Sequence, residues 1–473
     1  MAKKNFLGMD YGAGSGRGML GSFDGKKLEL REVNRFLNSP VPNEYEGLSW
    51  DIDKLYGAMK ESLYTLKKEG VAIESVGIDT WAQDFGVIGK DGKLVCNPYS
   101  YRTPFFSEGL AEINKKFTAL DIFEKTGSAL SPVTTLSQLL VQRNRRPDYV
   151  KDGTILFMAD LLGYLLTGTK CCDCSVPSMT LMYDNSKSDW SDEIINAFGL
   201  DKSILPPMVK HYTKCGNISD PELVEAGFGN VPLVSVAHHD TVSAFSAVDA
   251  LGLGNDTVYI SCGTWTVMGI PVENAVLSKE AYDFGLCNEM GLNGKLFLAK
   301  NLTGMWIEQE CQRYWKAKGI ALDYKHLDSY VANESVDDIV IDTQLPIFST
   351  VGNMPEKIQQ YCKETGQRVP ETVEDIFAAI MHNMSRDYAN VIKRMMEFTP
   401  VKAKRIQIVG GGAKNIPLAK FISRETGLPV YAGPIEATVT GNILAQMVAS
   451  GEISKISDAK EILLNSFEIK EIE

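Results

Sequence analysis

The chain opens on a short apolar run, residues 5–10, that closes on Asp10 and reads as a strand. A glycine-rich stretch, Tyr11-Gly12-Ala13-Gly14-Ser15-Gly16-Arg17, leads into a second strand over 18–23. Asp24-Gly25 is a hairpin signal, and a third strand follows over 27–35. After Trp50, either Asp51 or Asp53 can cap a helix whose residues Leu55, Met59, Leu63 and Leu66 recur at helical spacing. A strand over 75–79, a hairpin around Lys90-Asp91-Gly92 and a largely helical stretch over 103–166 follow.

The same logic returns later. Residues 256–261 form an apolar strand, Gly263 a turn, and 265–270 the returning strand. Another strand at 405–409 runs into Gly410-Gly411-Gly412. Ile376, Phe377, Ile380, Met384, Tyr388, Val391 and Met395 place a long helix over 373–398, with its methionines as core filler. A helix at 438–448 begins the last helical pair. Two halves, each opened by a strand, a glycine turn and a strand, predict a duplicated α/β fold with a ligand cleft between them. Gly252 and Gly254 interrupt the apolar pattern, so the expected domains are 1–248 and 249–473.

Length agrees, because 473 residues are too many for one hydrophobic core. A net charge of −12 works against nucleic acid and against an anionic membrane surface. It leaves a nucleotide open, since backbone amides and Mg²⁺ hold phosphates without a basic surface. Arg143, Arg145 and Arg146, followed by Pro147 and Asp148, read as a solvated helix end. The N-terminal MAKKNFLGMD has too short an apolar run for a signal peptide, and no window suits a membrane span. A cytoplasmic protein is expected, its nine cysteines reduced. Cys171, Cys172 and Cys174 invite a metal reading, but no second cysteine or histidine pair lies at zinc spacing, so a plain strand is expected there.

Chemistry could reside in the three glycine-rich turns, at 12–18, 261–266 and 410–412. Glycine lets backbone N–H groups approach a phosphate, although such turns are often only hairpins. Neither the Walker A pattern nor GxGxxG is present. Asp10, at the lip of the first turn, is either a turn carboxylate or a Mg²⁺ holder, and Arg17 could pair with a phosphate or a carboxylate. Ala237-His238-His239-Asp240-Thr241 follows an apolar run, 231–236. Asp240 there is equally an active-site residue at a strand end or the cap of a following helix.

Taken together, GAGSGR in the opening hairpin, AHHDT, SCGTW and VGGGAKN resemble the FGGY carbohydrate kinase family. WDIDKLY, GIDTW, NPYSYR, KNLTGMW, MPEKIQ, ETGQRVPET and AGPIEATVTGN extend the likeness in the right order over nearly the whole chain, closest to its rhamnulokinase branch. The resemblance implies an α/β fold of two actin-like (ribonuclease H-like) domains with a central ATP/sugar cleft. It implies a cytoplasmic ATP:sugar phosphotransferase, with ATP and Mg²⁺ as cofactors and a ketose such as L-rhamnulose as substrate, working as a monomer or homodimer.

Carried over by residue, Asp240 is the catalytic base and Asp10 sits by the metal and phosphates. Ala13, Gly14, Ser15, Gly16 and Arg17 form the first phosphate hairpin, with Thr264, Gln309 and Gly411 on the nucleotide side. Ala82, His239, Asp240, Thr241 and Asn301 face the sugar. The chain departs from the family pattern at Ala82-Gln83, Thr103-Pro104 and Thr134-Thr135-Leu136, all on the sugar side. These departures leave the reaction intact and open the choice of sugar, L-fuculose or xylulose included. A sugar sensor and an actin-like filament or chaperone ATPase are rival readings of the same fold.

Overall fold

In the computed structural model, which describes residues 3–151, 153–333 and 336–472, the opening alternation becomes β1 (Lys4–Tyr11) and β2 (Ser15–Phe23), followed by β3 (Leu28–Leu37). α1 (Ile52–Lys68) starts where expected: Asp51 accepts the Lys54 N–H at 3.0 Å, and Leu55, Met59, Leu63 and Leu66 are all buried. The strand expected at 75–79 is β4 (Ser75–Thr80), every residue of which is buried.

The chain divides into two compact units. The first comprises Met1–Gly252, Val272–Leu298 and Ala437–Ser466; the second comprises Leu253–Pro271, Ala299–Glu436 and Phe467–Glu473.

In the first unit, β5 (Lys214–Asn217) and β6 (Pro232–Val234) join β1–β4 in one sheet, ordered β5-β6-β4-β1-β2-β3. β6, β4 and β1 run parallel, so their carboxyl ends lie along one edge. A parallel sheet is covered on its faces, which explains why β1 and β4 are apolar on both sides. Leu7, Met9, Tyr11, Trp50, Ile78 and Trp81 share one core cluster with the apolar face of α1. The helix Ala437–Ser450 returns to this unit and packs against α2 (Asp240–Asp249). Their approach depends on Gly441, where a Cβ would lie 1.8 Å from the Ser243 carbonyl oxygen.

In the second unit, β7 (Thr257–Cys262) pairs antiparallel with β8 (Trp265–Val272) and parallel with β9 (Arg405–Val409). β9 continues to β10 (Val430–Ala432) and then to β11 (Lys470–Ile472). The long helix α3 (Val373–Met395) carries the expected apolar face.

Three expectations need correction. The stretch 103–166 is not all helical: Thr154–Phe157 is a strand paired with Phe85–Ile88. Its three apolar residues, Ile155, Leu156 and Phe157, look alike in a buried strand and a buried helix, so periodicity does not separate them. Cys171, Cys172 and Cys174 lie outside any strand, with only an isolated bridge at Cys172. The basic cluster is not simply solvated, because Arg143 donates to the Phe198 carbonyl at 2.7 Å and Arg146 lies 3.8 Å from the Tyr45 ring centroid. No helix among the described residues is long and apolar enough to cross a membrane.

Candidate active site

The carboxyl edge of the first sheet collects acids. Asp10 is near the end of β1, and the register places Asp79 of β4 directly opposite it. Beyond β6, Thr80 bridges His239 and donates its N–H to the His238 carbonyl at 2.8 Å, which sets Asp240 at the start of α2. The position at a strand end is found, but the cap reading is not: the N-cap of α2 is His239, and Asp240 is its first helical residue. It follows a strand, and it also begins a helix, accepting the Thr241 N–H at 2.6 Å and standing 3.2 Å from the Thr241 hydroxyl.

These three acids differ in their company. Arg17 donates to Asp10 through Nε at 3.0 Å and Nη2 at 2.9 Å, so the arginine takes the carboxylate option here. Asp79 is fully buried and accepts from Asn442 at 2.6 Å, while its Oδ1 has no hydrogen-bond partner among the described residues. Burial, and then the charge of Asp10, push its carboxyl well above the usual range. Asp240 keeps 31% of its side chain exposed, yet the surrounding protein still raises its carboxyl to about 6, against the lowering effect of its two Thr241 contacts. A carboxylate titrating near neutrality suits a general base.

The first glycine turn is a tight hairpin: Gly12 donates its N–H to the Ser15 carbonyl at 2.9 Å. Ala13 and Ser15 are partly exposed and Gly14 exposed, whereas Gly16 is buried within β2. A Cβ at Gly16 would stand 2.3 Å from the Phe36 ring, so close packing also requires glycine there.

On the second unit, the turns after the parallel neighbours β7 and β9 come together. Thr264 donates to Gln309 at 3.1 Å, and a Cβ at Gly412 would meet the Cys262 sulfur at 2.2 Å. Thr264 and Gly411 are exposed, as is Asn301 on the strand Leu296–Thr303.

Two departures from the family pattern that look separate in sequence prove to be joined. Gln83 holds a left-handed backbone (φ 81°), and Thr135 secures it by donating its hydroxyl to the Gln83 carbonyl at 2.8 Å and its N–H to the Gln83 side chain at 3.2 Å. Next to it, buried Asp84 accepts from Trp50 (2.6 Å), Trp81 (2.9 Å) and Gln138 (2.8 Å). Burial lifts Asp84 to about 6 despite these three donors.

Sequence reasoning missed Asp79, Asn442 and Asp84 as site residues. GIDTW and AGPIEATVTGN stand out as motifs, but no local signal pairs an acid with an amide so far along the chain.

Two residues before Asp240, His238 donates to Asp160 at 2.6 Å and lies 3.5 Å from Asp173. Burial lowers the His238 value, but Asp173 and Asp160 outweigh it and raise the imidazolium to about 9. Asp173 also meets His211 at 2.9 Å, and metal-ligating atoms of Asp173, Cys174 and His211 lie within 4.8 Å of one another. However, the His211 Nδ1 accepts the Asn293 N–H at 3.2 Å, which leaves the proton on the nitrogen facing Asp173. A ligating histidine normally donates from its second nitrogen, so this trio fits an ion network better than a metal.

The N-terminal domain model of the FGGY family of carbohydrate kinases matches residues 5–246, and the C-terminal domain model matches residues 258–450. The chain belongs to the FGGY family of carbohydrate kinases, which makes it an ATP-dependent sugar phosphotransferase. It is 32% identical over 470 residues to a rhamnulokinase of Bacteroides thetaiotaomicron, covering 99% of this chain and 95% of that one. A rhamnulokinase of Halalkalibacterium halodurans is 30% identical over 465 residues, covering 98% and 97%. Among solved structures, a ligand-bound xylulose kinase from Lactobacillus acidophilus superposes with a TM-score of 0.80 at 13% identity, covering 99% and 93%. Plasmodium falciparum glycerol kinase with ADP gives a TM-score of 0.79 at 17% identity, covering 99% and 94%. The shared fold is the actin-like one expected.

Proposed function

We propose that this chain phosphorylates the primary hydroxyl of a deoxyketose, with L-rhamnulose as the leading substrate and L-rhamnulose 1-phosphate as product. The observation that carries the chemistry is the row of Asp10, Asp79 and Asp240 along one sheet edge, with Asp240 poised near neutrality. Similarity to rhamnulokinases along almost the whole chain supports the sugar.

In this reading Asp240 accepts the proton of the sugar hydroxyl as its oxygen attacks the γ-phosphorus, and the bond to the departing ADP oxygen breaks. His239, Thr241, Ala82 and Asn301 hold the sugar. The amides and side chains of 13–17, with Thr264, Gln309 and Gly411, hold the nucleotide. Residues 1–248 would thus form the sugar and base domain, and 249–473 the nucleotide domain. Asp10, Asp79 and Asp240 offer carboxylate oxygens along one edge, and the orphan oxygen of buried Asp79 fits a hard cation such as Mg²⁺. When bound, that ion would neutralise charge on the phosphates. A cytoplasmic enzyme follows from this substrate class.

The joined departures at Gln83 and Thr135 favour a second reading, the same chemistry on another ketose such as L-fuculose or xylulose. Sugar-dependent ADP release measured side by side with L-rhamnulose, L-fuculose and xylulose decides between them. ADP release that no sugar accelerates would refute the kinase reading.

A further inference from the structure

Glu289 lies on the strand Cys287–Met290 and is only 1% exposed. Its Oε2 has no hydrogen-bond partner among the described residues, and neither has Nδ1 of His239, itself 6% exposed. Buried polar atoms are normally paired, so two orphans beside the base require an explanation. The two lie close enough to influence each other, and burial raises the Glu289 carboxyl above its ordinary range. After burial, His239 is the strongest influence on Glu289, with Asp240 a further one. After burial, Glu289 is likewise the strongest influence on His239.

Both groups are held firmly. Asn288 donates its N–H to the Gly127 carbonyl at 2.7 Å, Met290 donates to the Ser178 hydroxyl at 3.2 Å, and Asn185 donates to the Asn288 carbonyl at 3.1 Å. The Cys287 thiol lies 3.6 Å from the other Glu289 oxygen, Oε1. His239 is fixed by its own N–H to the Ser175 hydroxyl at 3.0 Å, and its Nε2 stands 3.4 Å from Asp240. Burial keeps this imidazole below its ordinary value, hence neutral. With the Nε2 hydrogen turned to the Asp240 carboxylate, Nδ1 is left as a bare acceptor.

We propose that Glu289 is a specificity-determining residue that, together with Nδ1 of His239, accepts hydrogen bonds from hydroxyls of the sugar. A polyhydroxy ketose supplies the donors that these two acceptors lack, and fixing them orients the reacting hydroxyl toward Asp240. A site built to bond a hydroxyl rejects a substrate lacking it more sharply than an apolar pocket can. The proposal rests on the sugar-kinase reading, but its test separates the two.

The experiment compares wild type with Glu289→Gln and Glu289→Ala in steady-state assays with ATP and the best ketose of the panel. Sugar binding is measured in parallel by calorimetry, in the Asp240→Asn background. Expected is a rise of roughly 10-fold or more in the KM for sugar in both variants, with the KM for ATP and the melting temperature of Glu289→Gln unchanged. Single-deoxy analogues of the ketose add the deciding readout: one of them should bind wild type and Glu289→Ala equally. Active wild type with an unchanged sugar KM in both variants overturns the role of Glu289 and leaves the kinase standing. Sugar binding that Glu289→Gln weakens, in a chain without turnover, keeps the role of Glu289 and overturns the kinase reading. A parallel loss of ATP affinity and melting temperature in Glu289→Gln would mark the residue as structural and end the proposal.

Discussion

Asp10 and Asp79 face each other in register on neighbouring parallel strands, so backbone pairing alone holds two carboxylates side by side. Each has a different remedy. Arg17 offsets the charge on Asp10, while Asp79 has one amide, from Asn442, and one oxygen without a partner among the described residues. Like charges at this spacing are costly, and the fold retains them at the edge where Asp240 also lies.

Removing one of the two charges should therefore stabilise the protein. In buffer with metal chelated, Asp79→Asn is expected to raise the melting temperature by about 1 °C, the scale of 1 kcal/mol in a chain of 473 residues. Phosphoryl transfer should fall in the same variant. Calorimetry and an ADP-release assay check both, and a lower melting temperature would show that the paired acids are not in conflict.

Asp240→Asn keeps size and hydrogen bonding but cannot take a proton at neutral pH. Turnover is expected to drop by about 10² or more, with nucleotide affinity maintained. Near wild-type turnover would remove Asp240 from the role of base.

The raised carboxyl of Asp240 makes a pH prediction. In the proposed role it works ionised, so kcat/KM should rise with pH up to about 6 and level off above it. Stopped assays across pH 4.5 to 8 read this limb directly. A midpoint near the ordinary carboxylate value would mean that the burial around Asp240 has little electrostatic effect.

Gly441 tests how Asp240 is carried. Gly441→Ala forces a Cβ toward the Ser243 carbonyl, 1.8 Å away in the present packing, and so pushes the helix Ala437–Ser450 off α2. Overpacking of this kind costs about 1–3 kcal/mol. Turnover should fall with stability, because Asp240 begins α2. Denaturant unfolding of the variant with a wild-type midpoint would contradict the close crossing.

His238 gives an alkaline signature. Its folded value is raised from 6.5 to about 9, so its contribution to stability is complete below 6.5 and is lost as pH climbs through 9. The fall in melting temperature from pH 6 to pH 9 should therefore be smaller in His238→Asn than in wild type. Equal falls would place the alkaline loss elsewhere.

Local pattern carried much of the architecture. β1, α1, β9 and α3 lie close to where alternation, a capping aspartate and apolar spacing put them, because those signals act between neighbours in sequence. The glycine turns, Asp10 and Asp240 were legible for the same reason: each is a residue type at the end of a recognisable element. The strand Thr154–Phe157 was not, since a run of three apolar residues suits either structure until a partner strand is known.

By itself, the sequence determined the order of strand, glycine turn and strand, the acids that end those elements, and the family to which they belong. Only the tertiary structure decided which acids meet. Asn442 reaches Asp79 across 363 positions, and Gln83 meets Thr135 across 52. Such pairings depend on parallel register and on helices returning from distant parts of the chain. Neither leaves a periodic trace in the residues themselves, because the energy that selects them comes from packing and desolvation after the chain has folded.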